Sequence, residues 1–540
     1  MGLVLLFGLV AVLYLVGINS DIFFSFWPDQ TAYLVYAISY SQGVGYRELA
    51  LDPSIASSIM HPPGFAYLLS LLIRGLGFHL AWMKFFLILI YLAGLILYAD
   101  MMRRRDHPSL GLWAALLAAT APFALSFSQL VLSDFPFIGL SLASLWAGQR
   151  WELGGRRSRW LLASIVLAVA AFYFRAIGIA LIGSLLAAML LAARRDSTGS
   201  GGRLRLGIMA GLLLAGLSSW FIYNTAKYGI LGWQLFLDEM AAKKVGGAYV
   251  SSSMNLLKVI AFRLENLSTY VSVLGQFLLP WMRGSSWAWL PGLLVGLICA
   301  AGLVSTLRKY RTGHEIYLLL YWPVLLVWAH PEQRYLLPLY PPLFYVLLQG
   351  LSALGRLIHP RLSRLLVVVA ASAVLSAQLT IDLTQVITLQ PAPAFQDRFR
   401  MRPMTSAPWL QELSWLPPIS IGPHFRMIPS NQAGADLIRL ELWARDHLPR
   451  TSRLAVNYYN DCYLISGLKS APIQDLKLDP IEALIRYHVD YVFMAETYPL
   501  YSNWVLPALR RQPDRFTEII RVPGTQTAIY QFQPAALSPP

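Results

Sequence analysis

The chain has 540 residues, of which 56% are hydrophobic and 13% charged, and its mean hydropathy is +0.52. Soluble domains carry roughly 25% charged residues, so this composition excludes an ordinary soluble protein and indicates a polytopic membrane protein. The net charge of +15 does not point to nucleic acid, because the basic residues cluster in short loops between apolar runs. Two cysteines give neither a disulfide framework nor a metal cluster.

Apolar runs of about 17 to 25 residues, enough to cross a bilayer, recur from the start of the chain to Asp382. The first run lacks a basic n-region and a clear cleavage site before Asp21, so it is predicted to be a retained span and not a signal peptide. The eleven predicted spans are 2–19, 82–100, 110–127, 136–149, 160–174, 177–193, 206–224, 288–307, 315–329, 336–354 and 365–382.

Five basic clusters lie between these spans and follow the positive-inside rule for cytoplasmic loops. They are Arg103, Arg104 and Arg105; Arg150, Arg156, Arg157 and Arg159; Arg194, Arg195, Arg203 and Arg205; Arg308, Lys309 and Arg311; and Arg356, Arg361 and Arg364. Eleven crossings that start inside place every cluster on the cytoplasmic face and the C-terminus on the outer face.

The first outer segment, 20–81, is long and half apolar, and is predicted to hold juxtamembrane helices. His61–Gly77 and Asn266–Trp281 are too short or too interrupted for spans, and are predicted to lie in the membrane interface. Tyr33, Tyr36 and Tyr40 recur at helical spacing, as expected for an interfacial aromatic face.

The composition changes after Asp382. We expect a transmembrane catalytic domain over 1–382, a Pro-rich linker or cover segment over 383–431, and a small α/β domain on the outer face over 432–540. In the last part, ADLIRLELWARDHL and IEALIRYHV have helical patterns, RLAVNYY and DYVFMAE read as buried strands, and EIIRVPGTQTAIYQFQ reads as a closing hairpin.

The chain contains no Walker loop, no GxGxxG after a strand, no HExxH and no GxSxG. Its unusual polar residues gather instead on the predicted outer face. Ionisable groups at the boundary of an apolar membrane protein mark functional sites more often than scaffolding. These residues are Asp29, His61, Asp134, Arg175, His330, Glu332 and Arg334.

Five runs in chain order carry a resemblance to a known superfamily: PDQTAYLVYAISYSQGVGY, HPPGFAYLLSLL, LVLSDFPFIGLSLASLW, YFRAIGIALI and EQRYLLPLYPPL. Followed by a soluble outer domain, they resemble the GT-C glycosyltransferases. The chain is most similar to the bacterial aminoarabinose transferases of lipid A, the protein O-mannosyltransferases and related lipopolysaccharide-core transferases. The resemblance implies a sugar donor linked to polyprenyl phosphate, a lipid, glycan or protein acceptor, and action at the outer face of a bacterial inner (plasma) membrane, among membrane lipids and without nucleic acid.

In that superfamily an aspartate of the first outer loop, a few residues before a tyrosine, serves as the catalytic base. Asp29, with Tyr33 four residues later, matches this pattern. Relatives often have an acidic residue directly after the aspartate, whereas this chain has Gln30. The chemistry suits the residue type, because inverting glycosyl transfer needs a carboxylate to take the proton of the incoming hydroxyl or amine.

The other matches concern the second carboxylate and the donor. Asp134 matches the acidic position of the second outer loop, so the resemblance makes it a second catalytic candidate. Arginine suits a departing phosphate because its guanidinium makes paired hydrogen bonds. The residues expected at the donor phosphate or substrate are Arg334, Arg175, His61, Tyr33, His330 and Glu332. Some relatives bind a divalent metal ion, which stays open as a cofactor, but the sequence offers no dense ligand set and no metal-binding residue is predicted.

Simpler interpretations remain for each residue. Asp29 and Asp134 both stand at predicted helix starts and would serve as N-caps. Arg175 and Arg334 would anchor helix ends at the interface, and His61 would mark a turn before two prolines. At the level of the whole chain, the alternatives are a transporter or flippase of lipid-linked sugars, for which no internal repeat is seen, and a non-catalytic membrane scaffold.

Overall fold

The computed structural model describes residues 2–23, 28–51, 61–105, 108–154, 157–195, 200–241, 243–245, 248–250, 256–279, 287–310, 312–327, 333–389, 419–422, 425–428, 432–456, 459–471, 479–495 and 499–534. Within these ranges the chain is mostly helical.

The N-terminal part is a bundle of helices, several of which begin with a proline at the first position, where its missing N–H costs no hydrogen bond. The helices are α1 (Gly2–Val16), α2 (Pro28–Ser41), α3 (Gly64–Leu76), α4 (Leu80–Arg103), α5 (Pro108–Ala119), α6 (Pro122–Ser128), α7 (Asp134–Leu153), α8 (Ser158–Phe174), α9 (Ile179–Arg195), α10 (Ser200–Ala241), α11 (Leu256–Leu278), α12 (Trp289–Lys309), α13 (Gly313–Val327), α14 (Tyr340–Ile358) and α15 (Pro360–Leu389). Two 3-10 helices, Ala176–Gly178 and Gln333–Leu339, precede α9 and α14.

Each of the eleven predicted spans overlaps helix in the described residues. The chain is a multi-pass membrane protein. Six helical stretches there are long and apolar enough to cross a membrane: Leu80–Arg103, Ala176–Arg194, Leu204–Tyr223, Trp289–Lys309, Arg334–Ile358 and Ser363–Leu383. The predicted span 110–127 is divided into α5 and α6, because Pro122 starts a new helix. Residues 20–81, predicted as the first outer segment, contain the helices α2 and α3.

Close helix crossings hold the bundle together. A β-carbon at Gly302 of α12 would collide with the carbonyl of Val346 on α14. A β-carbon at Gly350 of α14 would likewise collide with a backbone carbonyl of α12. A β-carbon at Gly94 of α4 would lie 2.6 Å from the α-carbon of Gly139 on α7. Small residues of this kind let membrane helices approach at backbone distance, where dispersion replaces the hydrophobic effect as the source of attraction.

Arg105 belongs to a basic cluster that is predicted to lie in a solvated loop, but the structure buries it. Its side chain is fully buried, and Nη2 lies 2.7 Å from Oε1 of Glu315 at the start of α13. Glu315 Oε2 also accepts the hydroxyl of Thr312 at 2.7 Å. The pair links the end of α4 to α13. Removing one partner would leave the other charge buried and unpaired, which is strongly destabilising.

The strands form three small sheets. The strands are β1 (Asp21–Phe23), β2 (Lys243–Val245), β3 (Ala248–Val250), β4 (Ile419–Gly422), β5 (Phe425–Ile428), β6 (Arg453–Ala455), β7 (Lys469–Ala471), β8 (Tyr491–Met494), β9 (Phe516–Arg521) and β10 (Ala528–Phe532). β1 pairs in parallel with β5, which pairs antiparallel with β4, while β2 and β3 form a separate antiparallel pair.

The C-terminal part is the predicted small α/β domain. It contains α16 (Gln432–His447), α17 (Tyr459–Ser466), α18 (Pro480–Arg486) and α19 (Pro499–Arg511) around a five-stranded sheet of order β7-β6-β8-β10-β9. β7, β6 and β8 run parallel, and β9 and β10 form the antiparallel hairpin expected from the sequence.

This domain directly contacts the segment 20–81, for which the sequence predicts the outer face. The amide of Ser470 donates to the carbonyl of Ala50 at 2.7 Å, and α17 packs on α2. The division into 1–382, 383–431 and 432–540 stays a prediction. Since β4 and β5, within the predicted linker, pair with β1, part of that segment joins the structure that precedes α2.

The tyrosines of α2 do not form the exposed interfacial aromatic face that the sequence predicts. Tyr33 and Tyr36 are 4% and 5% exposed, and Tyr40 stacks on Tyr46 with ring centroids 5.4 Å apart. α3 and the neighbouring loops cover the side of α2 that carries these tyrosines. The membrane interface predicted for this side is therefore occupied by protein.

Candidate functional site

Asp29 lies in the first turn of α2, and its carboxylate joins two other parts of the chain. Oδ2 accepts a hydrogen bond from Nη1 of Arg334 at 2.7 Å, and Oδ1 lies 3.8 Å from Nε2 of His61. The Asp29 side chain is 25% exposed, so it remains open to solvent while it is paired. The carboxylate is therefore accessible, charged and held between two basic groups.

Contacts on both sides fix the start of α2. Gln30 is fully buried, and its Oε1 accepts the amide of Val131 at 3.2 Å. Before the helix, the buried ammonium of Lys84 donates to Oδ1 of Asn19 and to the carbonyl of Asp21, both at 2.7 Å. Gln30 thus serves as a hydrogen-bonding contact between α2 and the loop before α7.

The second carboxylate, Asp134, is the first residue of α7 and pairs with Arg175. Nη1 of Arg175 lies 2.5 Å from Oδ2 of Asp134, and the two side chains are 12% and 1% exposed. Arg175 stands in extended conformation between α8 and the 3-10 helix before α9, which directs its side chain toward α7. A charge buried to this degree requires its partner.

Tyr335 brings the two ion pairs together. Its ring centroid lies 5.2 Å from the guanidinium carbon of Arg175 and 5.0 Å from that of Arg334. Its hydroxyl accepts a hydrogen bond from Nη2 of Arg334 at 3.1 Å, and its carbonyl accepts the hydroxyl of Tyr321 at 3.0 Å. One aromatic ring thus holds two guanidinium groups in the same small volume.

Tyr33 closes the arrangement on the other side. Its hydroxyl lies 3.2 Å from Oγ of Ser133, the neighbour of Asp134, and 3.4 Å from Nδ1 of His61. His61 is also held through its carbonyl, which accepts the hydroxyl of Tyr46 at 2.7 Å. The contacts form a closed circuit, here called the polar ring, of Asp29, Arg334, Tyr335, Arg175, Asp134, Ser133, Tyr33 and His61.

The ionisation of the polar ring follows from these contacts. Burial raises the pKa of the Asp29 carboxyl, but the charges of Arg334 and His61 outweigh it and hold the pKa at about 2. Burial lowers the pKa of the His61 imidazole, and the two arginines add to that effect against the opposing influence of Asp29. Burial, aided by the Asp29 charge, raises the pKa of Tyr33. Near neutral pH the ring therefore holds an ionised carboxylate beside a neutral imidazole and a neutral phenol.

The described residues offer no group of three or more His, Cys, Asp or Glu side chains that could hold a metal ion. Asp29 and Asp134 each face an arginine instead, at 2.7 Å and 2.5 Å. Hard divalent cations need several converging oxygen ligands, so the donor set of the polar ring does not fit one.

Six of the eight residues predicted for the site, namely Asp29, Asp134, Arg334, Arg175, His61 and Tyr33, meet in the polar ring. His330 and Glu332 lie outside the described residues. The helix-capping interpretation of Asp134 does not hold, because the N-cap position of α7 is Ser133 and the Asp134 carboxylate pairs with Arg175.

Tyr335 and Ser133 escaped prediction. Each stands directly beside a predicted residue, in the runs QRYLLP and LSDFPF. Their position beside predicted residues was the only indication in the sequence. Tyrosines in membrane proteins also gather at membrane interfaces, so Tyr335 could not be distinguished from the other tyrosines.

A family model described as dolichyl-phosphate-mannose-protein mannosyltransferase matches residues 60–223, a stretch that includes His61, Asp134 and Arg175. None of the curated protein sequences matches the chain.

Among solved structures, ArnT from Cupriavidus metallidurans bound to undecaprenyl phosphate is similar, with a TM-score of 0.56 and 12% identity over 98% of each chain. The archaeal oligosaccharyltransferase AglB from Archaeoglobus fulgidus, in complex with an inhibitory peptide and a dolichol-phosphate, has a TM-score of 0.54 and 12% identity over 96% of this chain and 72% of its own. At such identities the likeness shows a shared fold. The chain thus shares the GT-C fold of these glycosyltransferases over nearly its whole length, and the family model matches part of it.

Proposed function

We propose that the chain transfers a sugar from a polyprenyl-phosphate donor to a lipid, glycan or protein acceptor, with inversion and with Asp29 as the general base. The observation that carries the proposal is the polar ring, in which one open carboxylate lies among two guanidinium groups at the boundary of the bundle. The ArnT and AglB structures, which hold undecaprenyl phosphate and dolichol-phosphate, support a donor of this kind.

The proposed step needs a base and an anion site. Asp29 takes the proton of the acceptor hydroxyl or amine, while the acceptor atom bonds to the anomeric carbon. The bond from that carbon to the phosphate oxygen breaks, and the electron pair leaves with the polyprenyl phosphate. Arg334 and Arg175 stabilise the charge that develops there, in an environment where water is partly excluded.

Donor binding and base activation are coupled in this scheme. In the structure Arg334 donates to Asp29 and lowers the pKa of its carboxyl, which keeps its basicity low. A donor phosphate competes for the same guanidinium, so its arrival draws Arg334 away and raises the proton affinity of the carboxylate. The base becomes competent when the leaving group is in place.

Asp134 acts in the scheme through Arg175. Its carboxylate is 1% exposed, which leaves little room for an acceptor, but it sets the position of the second guanidinium. We assign it a positioning role, with Asp29 as the carboxylate that meets the acceptor.

The test is transfer of labelled sugar by the full chain in nanodiscs, across a panel of polyprenyl-phosphate donors. Asp29→Asn is expected to lower kcat by about 100-fold to 10,000-fold, the range of general base catalysis. The control is Asp446→Asn, whose side chain is 57% exposed and lies on α16. Full activity in Asp29→Asn removes Asp29 as the base, and no turnover of any lipid-phosphate sugar by the wild type counts against the donor class.

We further propose that the polar ring and the C-terminal domain face the outer side of a bacterial inner membrane, on the basis of the positive-inside rule. Both native cysteines, Cys299 and Cys462, are buried, so single new cysteines report accessibility cleanly. An impermeant maleimide should label Asp514→Cys in intact cells and Arg364→Cys only after lysis. The reverse pattern would invert the topology.

A further inference from the structure

A second organised group of charges lies at the other end of the bundle. Asp100, in the last turn of α4, accepts three guanidinium groups. Its Oδ1 bonds to Arg103 Nη2 at 2.9 Å, and its Oδ2 bonds to Arg104 Nε at 2.9 Å and to Arg150 Nη2 at 3.3 Å. These four residues with Trp146 and Trp160 are called the Asp100 cluster.

Two tryptophans complete the cluster. Trp146 Nε1 donates to Oδ2 of Asp100 at 3.0 Å, and the Trp146 and Trp160 rings meet edge to face with centroids 5.2 Å apart. The guanidinium carbon of Arg150 lies 4.7 Å from one ring centroid and 5.4 Å from the other. Arg150 is therefore held between the Asp100 carboxylate and two aromatic rings.

The length of α7 favours a membrane boundary at the cluster. Asp134 begins α7 in the polar ring, and Arg150 lies near the end of the same helix. Sixteen residues of helix separate them by about 24 Å, close to the thickness of the hydrocarbon core. Tryptophan rings and arginine guanidinium groups at this depth face the layer of lipid headgroups.

The charges do not balance. Three guanidinium groups share one carboxylate, and the side chains of Arg103, Arg104 and Arg150 are 61%, 45% and 30% exposed. A guanidinium bound through one edge keeps its other N–H groups for a second anion, and it matches phosphate oxygens in paired hydrogen bonds. Basic pockets between membrane helices are suited to anionic lipid headgroups.

We propose that the Asp100 cluster binds the phosphate of an anionic phospholipid, at the end of the bundle opposite the polar ring. Asp100 orients the three arginines, the exposed edges of Arg103 and Arg104 take the phosphodiester, and the tryptophans lie beside the upper acyl chains. The site is separate from the proposed donor site and does not depend on it.

Basic residues that only set the orientation of the chain in the membrane do not need a shared carboxylate partner. Arg356 and Arg364, in another predicted cytoplasmic cluster, are exposed and have no carboxylate partner in the described part of the chain. They provide a matched control with the same change of charge.

The experiment is native mass spectrometry of the full chain released from nanodiscs that contain equal phosphatidylglycerol and phosphatidylcholine. The wild type should retain phosphatidylglycerol severalfold over phosphatidylcholine. The double variant Arg103→Gln/Arg104→Gln should lose most of this preference, and Arg356→Gln/Arg364→Gln should keep it. Arg103→Lys/Arg104→Lys should retain part of it, since lysine keeps the charge but not the paired geometry.

Three results overturn the proposal: no preference in the wild type, an equal loss in the glutamine and control pairs, or full retention in Arg103→Gln/Arg104→Gln. Circular dichroism and sugar transfer by each variant establish that the fold and the polar ring are intact. Because the altered residues are exposed and remote from the polar ring, transfer activity should stay near that of the wild type in neutral-lipid nanodiscs.

Discussion

Arg334 and Asp29 are 305 residues apart in sequence, yet their side chains meet at 2.7 Å. The pair joins the helix that carries the proposed base to the 3-10 helix that precedes α14. A guanidinium that is bonded to the proposed base cannot at the same time give the same N–H groups to a donor phosphate. The pair therefore sets up a competition that binding measurements can detect.

We expect Asp29→Asn to bind undecaprenyl phosphate more tightly than the wild type, although it loses transfer. Removing the carboxylate frees Arg334 and removes a repulsive charge near the phosphate. The gain should be about 1.4- to fivefold, since a partly exposed ion pair is worth roughly 0.2–1 kcal/mol. Equilibrium binding of labelled lipid to the full chain in detergent gives the affinity. Unchanged or weaker binding in the variant, with Asp446→Asn as the reference, would contradict the competition.

Two substitutions of Tyr335 should distinguish the contribution of its ring to activity from that of its hydroxyl. Tyr335→Leu removes the surface that faces both guanidinium groups and should lower kcat/KM about tenfold, near 1.4 kcal/mol, the upper range of a cation–π contact. Tyr335→Phe keeps the ring and loses only the acceptor of Arg334, so its loss should be smaller. Steady-state kinetics with the lipid donor measures both. Equal losses in the two variants would assign the effect to the hydroxyl.

The pair Asp134–Arg175 can be tested by a double-mutant cycle. Either Asp134→Asn or Arg175→Gln leaves an unpaired buried charge and should destabilise the chain by about 3–5 kcal/mol. The double variant removes both charges and should recover part of the loss. Thermal inactivation in detergent follows stability, and sugar transfer follows function.

If Asp134 only positions Arg175, activity should fall to a similar level in Asp134→Asn, Arg175→Gln and the double variant. A loss of kcat in Asp134→Asn far beyond that of Arg175→Gln would give Asp134 a direct catalytic role and overturn the assignment made above.

Much of the helical frame was predictable because the bilayer demands long apolar segments. The spans over α4, α9, α12 and α15 follow from hydropathy alone. Hydropathy does not report which side of a helix is covered by protein, so Tyr33 and Tyr36 were placed at the lipid interface although they are buried. Nor does it reveal a buried pair such as Arg105–Glu315, since both residues stand in segments that resemble ordinary loop ends.

The candidate site was predictable as a set of residues but not as a geometry. Unusual charges in apolar surroundings identified Asp29, Asp134, Arg175 and Arg334, because such groups are costly without a use. Which carboxylate pairs with which arginine depends on the packing of four separate elements, which no local pattern encodes. The role of Tyr335 as the link between the two pairs required the structure for the same reason.

Gly302→Ala should destabilise the bundle, because its methyl group would meet the backbone of α14 at Val346 and Gly350. Backbone atoms cannot move aside cheaply, so the loss should be about 1–3 kcal/mol. Gly296→Ala in the same helix is the control, since a β-carbon there has nothing within 4 Å. Thermal unfolding in a fixed detergent compares the two. Equal midpoints would show that the α12–α14 crossing is looser than described.

The contact between the C-terminal domain and α2 should weaken as pH rises. Asp461 of α17 is 1% exposed, and burial raises the pKa of its carboxyl to about 8. Burial likewise raises the pKa of the neighbouring Glu441 on α16, and the charge of Asp461 adds to that rise. A carboxyl whose pKa is higher in the folded state binds more protons there than in the unfolded chain. The stability it contributes is therefore fully present below its unfolded pKa and is lost as pH rises toward about 8.

Amide hydrogen exchange in α17 and α2 reports this contact without requiring the whole chain to unfold. In the wild type, protection corrected for the intrinsic exchange rate should fall between about pH 4, the ordinary pKa of an aspartate, and about pH 8, with a limiting slope of about 1.4 kcal/mol per pH unit for each proton released. Asp461→Asn cannot ionise at this position, so its profile should be flatter, whereas Asp446→Asn on the exposed face of α16 should follow the wild type. A wild-type profile that is flat or rises with pH would mean that Asp461 is already ionised in the folded chain, because only a neutral buried carboxyl makes the contact depend on proton uptake.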